Sequence, residues 1–138
     1  MSNIDELYES AVKAQKQAYC PYSHYPVGAA LRTVGGMVFS GCNVENAAYP
    51  LGSCAEAGAI AAMVLAGESE IGELVVVTGG ATPGTPCGGC RQRIREFARP
   101  DTLVHSTTTD SGLSTAIVMT VAELLPESFG PENILSDT

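Results

Sequence analysis

Three cysteines and one glutamate stand where they could do chemistry. Ser53-Cys54-Ala55-Glu56 and Pro86-Cys87-Gly88-Gly89-Cys90 each open a stretch that reads as a helix. Helix starts present free N–H groups and the positive end of the helix dipole, and both favour a thiolate over a thiol. Three thiolates converging from two helix starts suit zinc. Each patch also has a plainer reading. Ser53-x-x-Glu56 fits a capping box, with serine and glutamate satisfying the first amides of the helix. Cys87-x-x-Cys90 alone fits a redox dithiol or half of a structural zinc site. The redox reading leaves Cys54 without a task. A closed structural site needs a fourth ligand, and the candidates His24, His105, Cys20 and Cys42 stand in no paired ligand spacing. Three ligands, an open fourth position and a carboxylate two residues from one ligand make a catalytic zinc site.

The elements around these patches follow from periodicity and punctuation. Ile4, Leu7, Tyr8, Ala11 and Val12 recur at helical spacing, which predicts a helix over 4–18 with Ser2 and Asp5 at its start. Residues 27–34 and 37–42 read as strands joined at Gly35-Gly36, a hairpin signal. Residues 43–52 read as a polar loop, and 55–66 as an Ala-rich helix ending at Gly67. The apolar run 74–78 predicts a strand covered on both faces. A Gly/Pro/Thr loop leads to a helix over 88–98, which Pro100 is expected to stop. Residues 103–106 and 115–118 are candidate strands, and 122–125 a helical turn. The order implies one α/β domain over 1–138, with a mixed sheet between helices and a right-handed parallel crossover from 74–78 to 103–106. Both later helices would then begin at the sheet end where open α/β folds place ligands.

Composition narrows the partners. The chain has 138 residues, 45% of them hydrophobic, enough for a real core. Fifteen acidic against seven basic residues give a net charge of -8. Phosphate and anionic membranes need a surplus of cations, so neither nucleic acid nor a membrane surface is the expected partner. The acidic, polar start Met1–Glu6 shows no signal-peptide pattern, and no apolar run reaches transmembrane length, so a cytoplasmic location is expected. In that compartment an odd five cysteines point to metal or catalysis rather than disulfides. Cys42 is expected in the core, Cys20 as a loop thiol, and His24 and His105 as surface or satisfied histidines. Arg91, Arg95 and Arg99 read as a solvated helix face.

Cys54-x-Glu56 followed by Pro86-Cys87-x-x-Cys90 is the all-cysteine form of the zinc deaminase signature. Further pieces make the match more specific: Pro21-Tyr22-Ser23 with Pro26-Val27-Gly28-Ala29-Ala30, Gly41-Cys42-Asn43-Val44-Glu45-Asn46-Ala47, Arg91-Gln92 after Cys90, and Glu123-Leu124-Leu125-Pro126. From about Ala18 to Phe129 the chain resembles the small, homotetrameric, zinc-dependent cytidine deaminases. The resemblance implies a three-layer α/β/α fold with a mixed, mostly five-stranded sheet and one Zn²⁺ per chain on Cys54, Cys87 and Cys90. It implies hydrolysis of cytidine and 2′-deoxycytidine to uridine and 2′-deoxyuridine in pyrimidine salvage, with Glu56 moving the protons.

The same resemblance assigns the substrate contacts. Alternating positions on an extended segment point the same way, so Asn43 and Glu45 share a face. An amide and a carboxylate there suit ribose hydroxyls, although from the residues alone a polar loop with Asx turns is the better reading of the pair. The resemblance places them at the ribose 3′-hydroxyl. Tyr25 matches a position usually held by Phe, beside the base. The Ala55 N–H and the Thr85 carbonyl match groups that read the pyrimidine edge. Phe129 matches a tail aromatic that reaches a neighbouring subunit's pocket, and Tyr49 a loop residue at the subunit interface. The chain departs from the pattern at Ala57, where the family commonly has an Arg that hydrogen-bonds the thiolates. Arg91, beside Cys90, is the expected substitute. Other readings are a deaminase of another aminopyrimidine nucleoside, such as blasticidin S, and a non-enzymatic zinc-stabilised domain. The last predicts a fourth protein ligand and gives Glu56 no task beyond capping.

Overall fold

The computed structural model describes residues 3–135. Five strands form one mixed sheet in the order β2-β1-β3-β4-β5, with β1 at Val27–Thr33, β2 at Val38–Cys42, β3 at Ile71–Thr78, β4 at Ala98–Thr108 and β5 at Ile117–Thr120. β1 pairs antiparallel with β2 and β3, β3 pairs parallel with β4, and β5 returns antiparallel along β4. Helix α1 (Asn3–Gln15) covers one face; α2 (Ala55–Leu65), α3 (Gly88–Phe97) and the short α4 (Val121–Leu124) cover the other. This is the three-layer α/β/α architecture expected from the sequence.

The period of strand side chains decides which layer each residue joins. On β3, Val75 and Val77 pack with Ala30 against Leu7 and Ala11 of α1. Leu74 and Val76 point the other way, into a cluster with Leu31, Met63, Ile94 and Val104. An unbroken apolar run is what a strand between two helical layers requires.

Several boundaries differ from the sequence expectation, and the main shifts have local reasons. Helix α1 stops at Gln15 rather than 18, because the chain then turns so that Tyr19 can donate to the Asn43 carbonyl at 3.0 Å and accept from the Glu45 N–H at 2.8 Å. Strand β3 begins at Ile71, not 74, because Ile71 and Glu73 already pair with Thr33 and Arg32 of β1. Helix α3 ends at Phe97 and passes directly into β4, so Pro100 lies inside a strand. Ile71 pairs with Ala98 and Glu73 with Leu103, and Pro100 occupies the bulge between them, where its missing N–H breaks no ladder. Residues Leu113–Thr115 form a 3-10 turn, which moves β5 to Ile117–Thr120. The Ser2 cap expected for α1 lies outside the described residues. Cys42 is half-buried rather than core, as is Cys20.

Glycines let the helices sit directly on the sheet. A Cβ on Gly41 would lie 2.5 Å from both the Ala55 carbonyl and the Ala59 N–H, which are backbone atoms of α2. A Cβ on Gly28 would come within 2.6 Å of the Gln15 N–H of α1. The start of α2 therefore sits where it does because β2 has no side chain at Gly41. Gly41→Ala is expected to lower stability by about 2–3 kcal/mol, since rigid backbone must move to admit the methyl group. Gly88→Ala, where a Cβ would meet nothing within 4 Å, should change stability by less than about 0.5 kcal/mol. Denaturant melts of the two variants check both.

Candidate active site

The two helix starts meet. Cys54 is the N-cap residue of α2 and Cys87 that of α3, and neither helix start receives a side-chain cap. Cys90 lies in the first turn of α3 and is fully buried. The three Sγ atoms lie within 4.8 Å of one another. Among the described residues they form the one group of His, Cys, Asp or Glu side chains gathered closely enough to hold a metal ion. His24, His105, Cys20 and Cys42 supply no fourth ligand: His105 hydrogen-bonds Glu73 at 2.7 Å across the sheet. The donor set fits zinc, because zinc–thiolate bonds of about 2.3 Å can close a triangle of this size and leave one position open.

The capping-box reading of Ser53 and Glu56 fails. Ser53 is spent on backbone pairing with Val44, exchanging bonds of 2.8 and 2.9 Å, so Cys54 takes the cap position instead. Glu56 thereby turns inward. It is only 4% exposed, and burial pushes its carboxyl above the usual carboxylate range, against the pull of its own N–H, the Cys90 thiol and the Arg93 charge. Burial likewise raises the thiols of Cys54 and Cys90, while the Cys90 N–H draws Cys87 down. Thiols that burial holds protonated become ligands only when a cation replaces the lost solvation.

A cleft of about 330 Å³ opens over this cluster. Cys54, Cys87, Ala55 and Glu56 line it, together with Tyr25, Asn43, Glu45, Tyr49 and Thr85. Every sequence-selected residue lines this cleft except two: Cys90, which is buried but within 4.8 Å of the other two thiols, and Phe129. Phe129 lies on the tail with its ring 59% exposed. Its carbonyl accepts from Gln92 at 2.9 Å, and Arg95 holds the same tail through Ser128 at 2.9 Å and Glu132. Tyr49 is exposed and packs edge-on against Tyr22, with ring centres 5.9 Å apart.

The far wall is a laced segment. Residues 43–45 run extended between Tyr19 on one side and Ser53 on the other, so Asn43 and Glu45 do face one cleft. Asn43 spends its amide on either side of Pro26: Oδ1 accepts from the Val27 N–H and Nδ2 donates to the Tyr25 carbonyl, both at 2.9 Å. Glu45 accepts from the Tyr22 and Ser23 N–H groups, each at 3.1 Å, and from the Ser23 hydroxyl. These donors, the Ser23 hydroxyl first, hold its carboxyl below the usual range.

Arg91 is not the thiolate partner expected in place of the family's Arg at position 57. Its guanidinium donates to the Pro86 carbonyl (2.7 Å), the Leu124 carbonyl (2.8 Å) and the Thr85 hydroxyl (2.9 Å). It latches the loop before Cys87 to α4. Thr78 holds the same loop from below, accepting from the Gly84 N–H at 2.9 Å. Arg95 is likewise not a solvated face but the clamp on the tail. The cation whose field reaches Glu56 is Arg93, which shares a shallow groove with Ala57. Sequence reasoning gave no role to Thr78, Ser23 or Arg93, because no regular spacing links Thr78 to Gly84, Ser23 to Glu45 or Arg93 to Glu56.

Comparison with known proteins agrees with this geometry. Residues 1–106 match the family model described as the cytidine and deoxycytidylate deaminase zinc-binding region. A cytidine deaminase of Sporosarcina psychrophila is 39% identical over 132 residues, covering 96% of this chain and 95% of that protein. One of Mycobacterium tuberculosis is 34% identical over 128 residues, covering 93% and 90%. The crystal structure of a cytidine deaminase from Burkholderia pseudomallei superposes with a TM-score of 0.85 at 40% identity, covering 94% of this chain and all of that one. With the signature cysteines gathered, the glutamate buried beside them and nearly the full length matched, the chain belongs to the zinc-binding cytidine and deoxycytidylate deaminase family.

Proposed function

We propose that the protein is a zinc-dependent deaminase that hydrolyses cytidine and 2′-deoxycytidine to uridine and 2′-deoxyuridine, releasing ammonia. The observation that carries this reading is Glu56, buried at the base of the cleft two residues from a three-thiol cluster. Cys54, Cys87 and Cys90 would hold one zinc ion, which would supply the Lewis acidity that makes a water deprotonable near neutral pH. Glu56 takes a proton from the attacking water and passes it to ring N3, then takes the proton of the hydroxyl newly bonded to C4 and delivers it to the departing amine as the C4–N bond breaks. A carboxyl whose affinity for protons is raised by burial suits both directions of that transfer.

The remaining groups orient the nucleoside. The Ala55 N–H and the Thr85 carbonyl face the pyrimidine edge, and the Tyr25 ring flanks the base. Asn43 and Glu45 take the ribose 3′-hydroxyl. The acidic surface favours a nucleoside without phosphate. The non-enzymatic zinc domain loses support because the cluster has three ligands among the described residues and Glu56 takes part in no capping box. We assign the reaction to pyrimidine salvage, a reading that this substrate and product support. A reducing compartment, the cytoplasm, suits three thiol ligands that must stay unpaired.

A homotetramer follows from the same reading. Helix α2 carries no charge apart from Glu56, yet Val64 and Leu65 on its outer side are 49% and 90% exposed. A helix that is apolar all round is built to be covered. Tyr49 would lie in that interface, and Phe129 would reach a neighbour's cleft. Light scattering should return the mass of a tetramer. A monomer with full activity would contradict the assembly and both of these roles.

The purified protein should carry one zinc per chain and deplete the cytidine absorbance. Glu56→Gln should keep the zinc and lower turnover by about 10³-fold. Zinc without deamination of cytidine or deoxycytidine in the unmodified protein, or near-normal turnover in the Gln variant, would overturn the mechanism.

A further inference from the structure

We propose that Ser23 is a positioning residue for the sugar end of the substrate, joining the Glu45 carboxylate to the Tyr25 backbone and leaving that carboxylate ready for one ligand hydroxyl. This rests on the reading of Glu45 as the sugar-binding carboxylate.

A carboxylate offers roughly four acceptor directions. The Tyr22 and Ser23 N–H groups and the Ser23 hydroxyl take three of them, all from one turn. Glu45 also lines the cleft, so what is left is available to a molecule there. A serine hydroxyl has one proton to give. Here it goes to Glu45, while the same oxygen accepts from the Tyr25 N–H at 3.1 Å. Tyr25 is held from its other side by Asn43, through its carbonyl. The groups at the two ends of the nucleoside site, Glu45 and Tyr25, therefore belong to one hydrogen-bonded arc with Ser23 as the link.

The arc is tight enough to force His24 into the left-handed region at φ 54°, with its N–H bonded to the Cys20 carbonyl at 2.9 Å. Such a conformation is uncommon outside glycine and persists where the surroundings demand it. Three donors keep Glu45 an acceptor. It takes a hydroxyl and repels an anion such as a phosphate on the same sugar oxygen.

Steady-state kinetics with cytidine and 3′-deoxycytidine test this on the full-length protein, Ser23→Ala and Ser23→Thr. The unmodified enzyme should show a higher KM for 3′-deoxycytidine. Ser23→Ala should raise KM for cytidine about tenfold, the loss expected for one charge-assisted hydrogen bond. Its kcat should stay within about twofold, and its KM for 3′-deoxycytidine should hardly move. Ser23→Thr keeps the hydroxyl and should restore KM for cytidine. An unchanged KM in Ser23→Ala, an equal rise for both nucleosides, or no rescue by Thr would overturn the positioning role. Equal KM values for both nucleosides in the unmodified enzyme would instead overturn the sugar-binding reading of Glu45, and this proposal with it.

Discussion

Three thiols and a carboxylate crowd one point beneath a cleft, and the fold depends on how that desolvated charge is compensated. Burial alone would keep Cys54 and Cys90 protonated and raise Glu56. Two helix starts offset part of that cost with free N–H groups and their dipoles. Their reach is short, and a cation must supply the rest. The three thiols would thus be held in their working form only with a metal bound, while burial is what raises the proton affinity of the nearby Glu56 carboxyl.

The surroundings make sense as devices that hold the two helix starts together. Gly41 lets α2 rest on β2, and the antiparallel exchange between Val44 and Ser53 delivers Cys54 to the cap position. On the other side, β3 ends at Thr78, which grips Gly84, and Arg91 ties residues 85 and 86 to α4. Both halves are therefore fixed by backbone pairing or by a buried latch, and the thiols need only small adjustments to close on an ion. The substrate wall is built separately, as an arc from Tyr22 to Val27 laced to Asn43 and Glu45. The metal side is set by sheet and helices; the nucleoside side is set by side-chain hydrogen bonds.

That division explains what could be read from the sequence. The thiol cluster was legible because Pro86 and the glycines mark a helix start, and Cys54 and Glu56 stand two apart at another. The layered sheet was legible because Leu74–Val77 is apolar without interruption. Ser53 was misread as a cap because its rival commitment, the pairing with Val44, is not visible in local spacing. Helix α3 does end just before Pro100, but that Pro100 itself lies inside β4 was not legible, because a bulge in the strand absorbs it. Arg91 looked like a thiolate partner by adjacency, yet its guanidinium reaches Leu124, 33 residues away. Position along the chain shows which residue types are available; tertiary hydrogen bonds decide which neighbour each one serves.

The central claim is that the thiol cluster holds zinc with an open position facing the cleft. Zinc K-edge X-ray absorption on the purified protein tests it most directly. The spectrum should show three sulfur neighbours at about 2.3 Å and one oxygen or nitrogen neighbour near 2.0 Å, without the outer-shell pattern of an imidazole. Four sulfurs, or a histidine in the fourth place, would mean a closed structural site and would contradict it.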